Sequence, residues 1–181
     1  MPRYIAFLRG INVGGHRIKM DRLRSLFEVL GFDDVSTFIA SGNVVFSADA
    51  VDVDALTSEI ERHLERELGY EVATFLRTPA QLASVASPDS TDAGFQDQKT
   101  SSHYVMFLRA AAPESLRSEL AALDSEMDDF QFSGAEIHWR VRGKVTDSPL
   151  FGGGLERATR AVPMTMRNMN TLRRMVVRET E

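Results

Sequence analysis

One order of secondary-structure patterns occurs twice along this chain of 181 residues, and it limits the possible folds more than any other feature. Alternating apolar residues predict strands, and apolar residues spaced three or four apart predict helices. Residues 3–77 give the order strand, helix, strand, strand, helix, strand, and residues 104–167 give it again. The first strands also match in sequence, with Tyr-Ile-Ala-Phe-Leu-Arg at 4–9 and Tyr-Val-Met-Phe-Leu-Arg at 104–109. This recurrence predicts an internal duplication.

Periodicity and turn residues place the individual elements. In the first half the predicted elements lie at 3–9, 20–30, 35–40, 43–47, 52–68 and 72–77. A short helix over 78–86 leads into a polar segment, 87–102, whose composition is typical of a linker. In the second half the elements lie at 104–110, 113–123, 130–132, 136–141, 150–161 and 162–167, with a last helix at 171–178. We therefore predict two domains, residues 1–97 and residues 98–181.

A strand-helix-strand-strand-helix-strand unit folds into an antiparallel four-stranded sheet backed by two helices. The sequence thus predicts an α+β protein of two tandem ferredoxin-like units followed by a C-terminal helix. In this topology the loop after the first strand and the hairpin after the second strand emerge at the same edge of the sheet. The first strand is apolar on both sides, which predicts that the face away from the helices is covered as well. Two alternatives stay open: the halves pack through these faces, or the C-terminal helix lies across one.

The composition limits the cellular location and the partners that we expect for the protein. The chain has no cysteine, so disulfides and thiolate metal sites are excluded, and no apolar run is long enough to cross a membrane. We expect a soluble, cytoplasmic protein without a membrane partner. The net charge of -5 argues against non-specific coating of nucleic acid, but basic residues concentrate in 1–24 and 140–178. Whether these segments form one positive patch or are separately solvated stays open.

A glycine-rich, basic loop follows the first strand and is the strongest candidate for a functional site. It reads Arg-Gly-Ile-Asn-Val-Gly-Gly-His-Arg over residues 9–17, and Lys19 precedes the next helix. Glycines allow left-handed backbone and close approach to an anion. The loop lacks the Lys-Ser/Thr pair of a phosphate loop and the glycine spacing of a dinucleotide fingerprint. The equivalent connection in the second half, after Arg109, has no glycines, so the scaffold alone does not require them.

Two further clusters complete the candidate site. Ser41 and Asn43 flank the glycine of the first hairpin, and Asn in a turn usually bonds its own backbone, which gives Asn43 a structural alternative. Near the C-terminus, Asn168 or Asn170 can cap the last helix; the alternative places Arg167 in a second corner that attracts anions. The candidate ligand-binding residues are Arg9, Gly10, Asn12, Gly14, Gly15, His16, Arg17, Lys19, Ser41, Asn43, Arg167, Asn168 and Asn170.

No catalytic residue can be named from the sequence. Ser41 lacks the context of a nucleophile elbow, and the four histidines have no spacing typical of a metal site. No metal and no cofactor is expected. The leading hypothesis is a module that binds a phosphate-bearing ligand, a nucleotide or nucleic acid, at the loop and hairpin. The alternatives are a transferase or hydrolase in which Arg9, His16 or Arg17 stabilises charge, and a protein-interaction module.

The chain closely resembles a widespread bacterial family, catalogued as domain of unknown function 1697. The resemblance is carried by Leu-Arg-Gly-Ile-Asn-Val-Gly-Gly at 8–15 and Ser-Gly-Asn-Val-Val-Phe at 41–46. Arg-Asn-Met-Asn-Thr at 167–171 is similar to the family's ending, in which a Trp stands where this chain has Met169. The resemblance implies a pair of ferredoxin-like units and a near full-length match. It implies no activity, ligand or catalytic residue.

Overall fold

The computed structural model describes residues 1–49, 52–87 and 101–180. The chain divides into two compact units, Met1–Leu82 and Ala83–Glu181. The boundary expected between residues 97 and 98 lies outside the described residues, as does most of the expected linker. Of this segment, residue 87 and residues 101–102 are described, and 101–102 already belong to a strand.

The first unit has the predicted order of elements. These are β1 (Arg3–Leu8), α1 (Met20–Val29), β2 (Asp33–Thr37), β3 (Asn43–Ser47), α2 (Val53–Leu68) and β4 (Thr74–Arg77), after which α3 (Pro79–Ala86) begins. The sheet order is β2-β3-β1-β4, with every neighbour antiparallel. Alternate residues of β1, namely Tyr4, Ala6 and Leu8, pack against the apolar faces of α1 and α2.

The second unit repeats this arrangement. Its elements are β5 (Ser101–Phe107), α4 (Glu114–Ala121), β6 (Asp128–Ser133), β7 (Glu136–Arg142), α5 (Gly154–Thr159), β8 (Thr165–Asn168) and α6 (Met169–Thr180). The sheet order is β6-β7-β5-β8, again antiparallel throughout. Both orders are that of a ferredoxin-like unit. The predicted α+β fold of two such units is therefore confirmed.

Some element boundaries differ from the prediction. The helix expected over 150–161 is reduced to α5, because Gly152 and Gly153 have φ of +84° and +145°, outside the helical region. The last helix begins at Met169 rather than residue 171. Strand β5 starts three residues earlier than expected because Ser101 pairs with Arg142 across the sheet.

The second face of each sheet is buried too. In β1, Ile5 and Phe7 point away from α1 and α2, and both are 0% exposed. In β5, Val105 and Phe107 are equally buried. Helix α6 contacts β5 and β8 and buries its own apolar stripe, which includes Leu172. In the part of the chain that the structure describes, no helix has the length and apolar character needed to cross a membrane.

Candidate functional site

The glycine-rich loop and the first hairpin lie at the same edge of the first sheet. The backbone N–H of Leu8 donates to Gly42 O at 2.8 Å, and Asn12 Nδ2 donates to Ala40 O at 3.1 Å. The buried side chain of Ile11 lies directly beside Gly42. These contacts join two segments that are separated by almost thirty residues, as the predicted topology requires.

Asn12 stabilises the conformation of the loop. Its backbone is left-handed, with φ of +57°, and its Oδ1 accepts the N–H of Ile18 at 2.8 Å. Its Nδ2 is bonded to the hairpin, so both polar ends of this amide are used inside the protein. The bond between positions 12 and 18 brings the two ends of the loop together. Asn12 therefore shapes the loop and has a structural role of its own.

The tip of the loop exposes the backbone of two glycines. Gly14 and Gly15 have φ of +61° and +92°, and no atom lies within 4 Å of where their Cβ would be. The N–H of His16 donates to Val13 O at 3.1 Å, which closes the turn. The amides of Gly14 and Gly15 make no hydrogen bond within residues 1–49, 52–87 and 101–180. They are therefore available to a ligand.

Three exposed cations lie in the loop or at its ends. Arg9, Arg17 and Lys19 are all exposed, and none forms an ion pair with the described part of the chain. The N–H of Arg9 is bonded to Ala73 O at 2.8 Å, which fixes its backbone at the end of β1, beside the partly buried Gly10. Lys19 is the N-cap residue of α1, but its side chain makes no capping bond.

An aromatic pair lies on the same loop, and the sequence did not reveal it. The ring of His16 stacks on that of Tyr70, with centroids 3.8 Å apart and planes at 26°. Tyr70 directly follows Gly69, the left-handed C-cap of α2, and is partly buried against the apolar core. The C-cap glycine followed by an aromatic residue was a visible signal, but its partner could not be read from local sequence.

The hairpin residues are engaged internally. Asn43 is fully buried, and its Nδ2 donates to Phe38 O at 3.0 Å and to Ser41 Oγ at 2.8 Å. Both atoms belong to the turn itself, so the amide of Asn43 stabilises the hairpin. Ser41 and Asn43 thus lie beside the loop without presenting the Asn43 amide to its tip.

The C-terminal cluster lies in the second unit, and its members differ in exposure. Arg167 is buried on β8, where Nη1 donates to Thr165 Oγ1 at 2.7 Å and to Met166 O at 2.9 Å. Burial lowers the pKa of Arg167 to about 10. Asn168 Oδ1 accepts the N–H of Asn170 at 2.9 Å and caps α6, while Asn170 is exposed. Arg167 is thus held by its own strand and is buried.

A second group that the sequence did not reveal is a histidine pair, in which His138 is buried and His103 is half-buried. Nε2 of His103 on β5 lies 2.9 Å from Nδ1 of His138 on β7, and Arg140 lies on the same face of the sheet. Desolvation, followed by the charges of His138, Arg140 and Arg173, lowers the pKa of His103 to about 3. Desolvation and Arg140 lower the pKa of His138 to about 4. Both rings are therefore neutral at pH 7.

From the lowered pKa values of this pair, we predict that the second unit loses stability in mild acid. Because the folded pKa values lie below the ordinary 6.5, the unfolded chain binds protons first. The contribution of the neutral histidine pair to the free energy of unfolding is complete above about pH 6.5 and is lost as the pH falls toward 4. For His138, which is 1% exposed, the loss between pH 7 and pH 5 is about 2 kcal/mol.

Urea unfolding at pH 7, 6 and 5 measures this loss. A His103→Phe/His138→Phe variant is expected to show a flatter dependence on pH than the wild type. A His16→Ala variant, altered at an exposed histidine, serves as the control and should keep the wild-type dependence. An identical pH dependence in the wild type and the double variant contradicts the role of the pair.

These observations define an α+β protein of two ferredoxin-like units, one of which carries a cationic, glycine-rich loop. The chain belongs to the family described as protein of unknown function (DUF1697), whose model matches residues 1–138. The ending at 167–171 lies beyond the matched residues. The family resemblance seen in the sequence is thus confirmed over residues 1–138.

Comparison with solved structures agrees with the fold. The chain is similar to the conserved bacterial protein SP0830 from Streptococcus pneumoniae, with a TM-score of 0.76 and 18% identity. The match covers 100% of this chain and 99% of the other. No curated protein matches the sequence. Within the described ranges of the chain, no group of three or more potential ligands is placed to hold a metal ion.

Proposed function

We propose that the first unit binds a phosphate-bearing ligand at the loop between Gly10 and Lys19. The observation that carries this proposal is the combination of three exposed cations, none ion-paired within the described chain, with the open backbone of Gly14 and Gly15. Backbone amides in left-handed turns and cationic side chains are the groups that hold phosphate oxygens. Asp21 already occupies the first turn of α1, so the loop and its cations supply the attraction, rather than the helix end.

The second unit provides an internal comparison that supports a specialised loop. There the N–H of Leu108 donates to Ala135 O at 2.8 Å, as Leu8 donates to Gly42 O in the first unit. Beyond the end of β5, which is equivalent to the end of β1, the second unit reaches α4 through Ala110, Ala111, Ala112 and Pro113. The same architecture thus forms without glycines or a cluster of cations. The extra features of the first loop are consistent with selection for binding.

Binding is proposed rather than catalysis because the described loop contains no nucleophile bonded to a base. Its histidine stacks on Tyr70, and its asparagine is engaged in structural bonds. A transferase or hydrolase would need a group that attacks or moves a proton.

The test is binding of inorganic tripolyphosphate, measured through the melting temperature of the protein in thermal unfolding. A ligand at 100 times its Kd stabilises the native state by about 2.7 kcal/mol, which raises the melting temperature measurably. An Arg9→Ala/Arg17→Ala/Lys19→Ala variant is expected to bind about 30-fold more weakly, since three exposed ion pairs of roughly 0.7 kcal/mol each amount to about 2 kcal/mol. All three side chains are exposed, so the variant should fold normally.

Arg109→Ala is the matched control, because Arg109 follows the equivalent strand of the second unit and is also exposed. Its affinity for tripolyphosphate should equal that of the wild type. Equal weakening in the control and the triple variant would indicate a general charge effect. Absence of any stabilisation by millimolar tripolyphosphate contradicts the proposal.

A further inference from the structure

The stacked pair of His16 and Tyr70 gives the loop an aromatic surface next to its cations. Tyr70 is held by the apolar core of the first unit, and its ring fixes the imidazole of His16 at a centroid distance of 3.8 Å. His16 is nevertheless exposed. Because one face of the imidazole is covered by Tyr70, its exposed surface belongs to the opposite face and the ring edge. The loop thus presents a preoriented ring to solvent.

Resting on the proposed function, we propose that this ligand is a single-stranded nucleic acid, one base of which stacks on the open face of His16. Histidine is among the aromatic side chains on which unpaired bases stack. Arg17 is adjacent in sequence, and the bond from Ile18 N to Asn12 Oδ1 keeps the rest of the loop close. Phosphates on either side of the stacked base can then reach Arg17, Lys19 and the glycine amides.

The openness of the surface favours a polymer over a mononucleotide. Gly14, Gly15, His16, Arg17 and Lys19 are all exposed, whereas sites for small ligands are usually concave and bury most of the ligand. A strand compensates for shallow contact by engaging several cations at once, and stacking plus a basic surface is the usual combination in single-strand binding. A duplex keeps its bases paired and cannot place one on the His16 ring.

The experiment compares two labelled strands of equal length and phosphate number in fluorescence anisotropy: an oligodeoxythymidine decamer and an abasic decamer. The full-length wild type is expected to bind the base-bearing strand at least about fivefold more tightly, the lower limit for one stacked base. His16→Ala should remove this preference. His16→Phe, which keeps an aromatic ring on Tyr70, should retain it. With three cations on phosphates, affinity should fall about 20-fold between 50 and 200 mM salt.

The outcomes separate this inference from the proposed function. Equal binding of the two decamers by the wild type, with tripolyphosphate binding intact, overturns base stacking and leaves phosphate binding standing. If thymidine monophosphate binds as tightly as the decamer, the proposal that the ligand is a polymer is overturned. Retention of the preference in His16→Ala shows that the base lies elsewhere and contradicts the inference. Failure of tripolyphosphate and of both decamers to bind overturns both proposals.

Discussion

Replacement of Gly42 by alanine is expected to lower the free energy of unfolding of the first unit by about 2–5 kcal/mol. The position has φ of +72°, which costs a residue with a Cβ roughly 1–2 kcal/mol. The new Cβ would also lie 2.9 Å from Ile11 Cβ and 3.2 Å from Leu8 Cβ. Both neighbours are buried and cannot swing aside, so overpacking adds roughly 1–3 kcal/mol.

The same substitution should disturb binding, because Ile11 anchors the glycine-rich loop against the hairpin. Gly14→Ala is the matched control for the stability measurement. Gly14 also has a left-handed backbone, with φ of +61°, but no atom lies within 4 Å of its Cβ position. Its cost should be limited to backbone strain of about 1–2 kcal/mol. Urea unfolding monitored by circular dichroism measures the free energy of unfolding of both variants. A Gly42→Ala cost no larger than that of Gly14→Ala would show that Ile11 yields to the added methyl group.

The architecture could be predicted because it depends on local periodicity. The alternation in β1 and β3, and the apolar stripes of α1 and α2, are encoded over a few neighbouring residues. Once the element order was known, topology alone placed the loop and the hairpin at one edge. The glycine-rich loop could be singled out because glycine has few other reasons to cluster there.

The roles of individual side chains depend on distant partners, and no local pattern encodes these. Asn12 is a candidate ligand-binding residue from its place in the loop, and the bond from its Nδ2 to Ala40 O has no signal in the sequence. His16 looked isolated, although Tyr70 stacks on it. The polar start of β5 resembled a linker because its pairing with β7, and the bond between His103 and His138, are made across the sheet. Such contacts form only when the whole unit folds.

Replacement of Asp128 by alanine is expected to destabilise the second unit by about 3–5 kcal/mol. Asp128 is 1% exposed, and its Oδ1 accepts from Trp139 Nε1 at 2.9 Å and from Ser148 Oγ at 2.7 Å. Trp139 and Ser148 are themselves buried. Alanine would leave the indole N–H and the hydroxyl without this acceptor, and a stranded buried donor costs about 1–3 kcal/mol. The missing carboxyl group also leaves a cavity, which adds to the loss.

Trp139 is the only tryptophan of the chain, so its fluorescence reports the unfolding of this unit directly. The expected decrease in melting temperature is on the order of 10 °C. Asp128→Asn keeps an acceptor oxygen that can face Trp139 and Ser148, so it should cost clearly less than alanine. If the two variants lose the same stability, the negative charge rather than the two hydrogen bonds is what the fold requires. If alanine is tolerated within about 1 kcal/mol, the stranded donors find other partners, and Asp128 does not hold β6, β7 and the loop at Ser148 together.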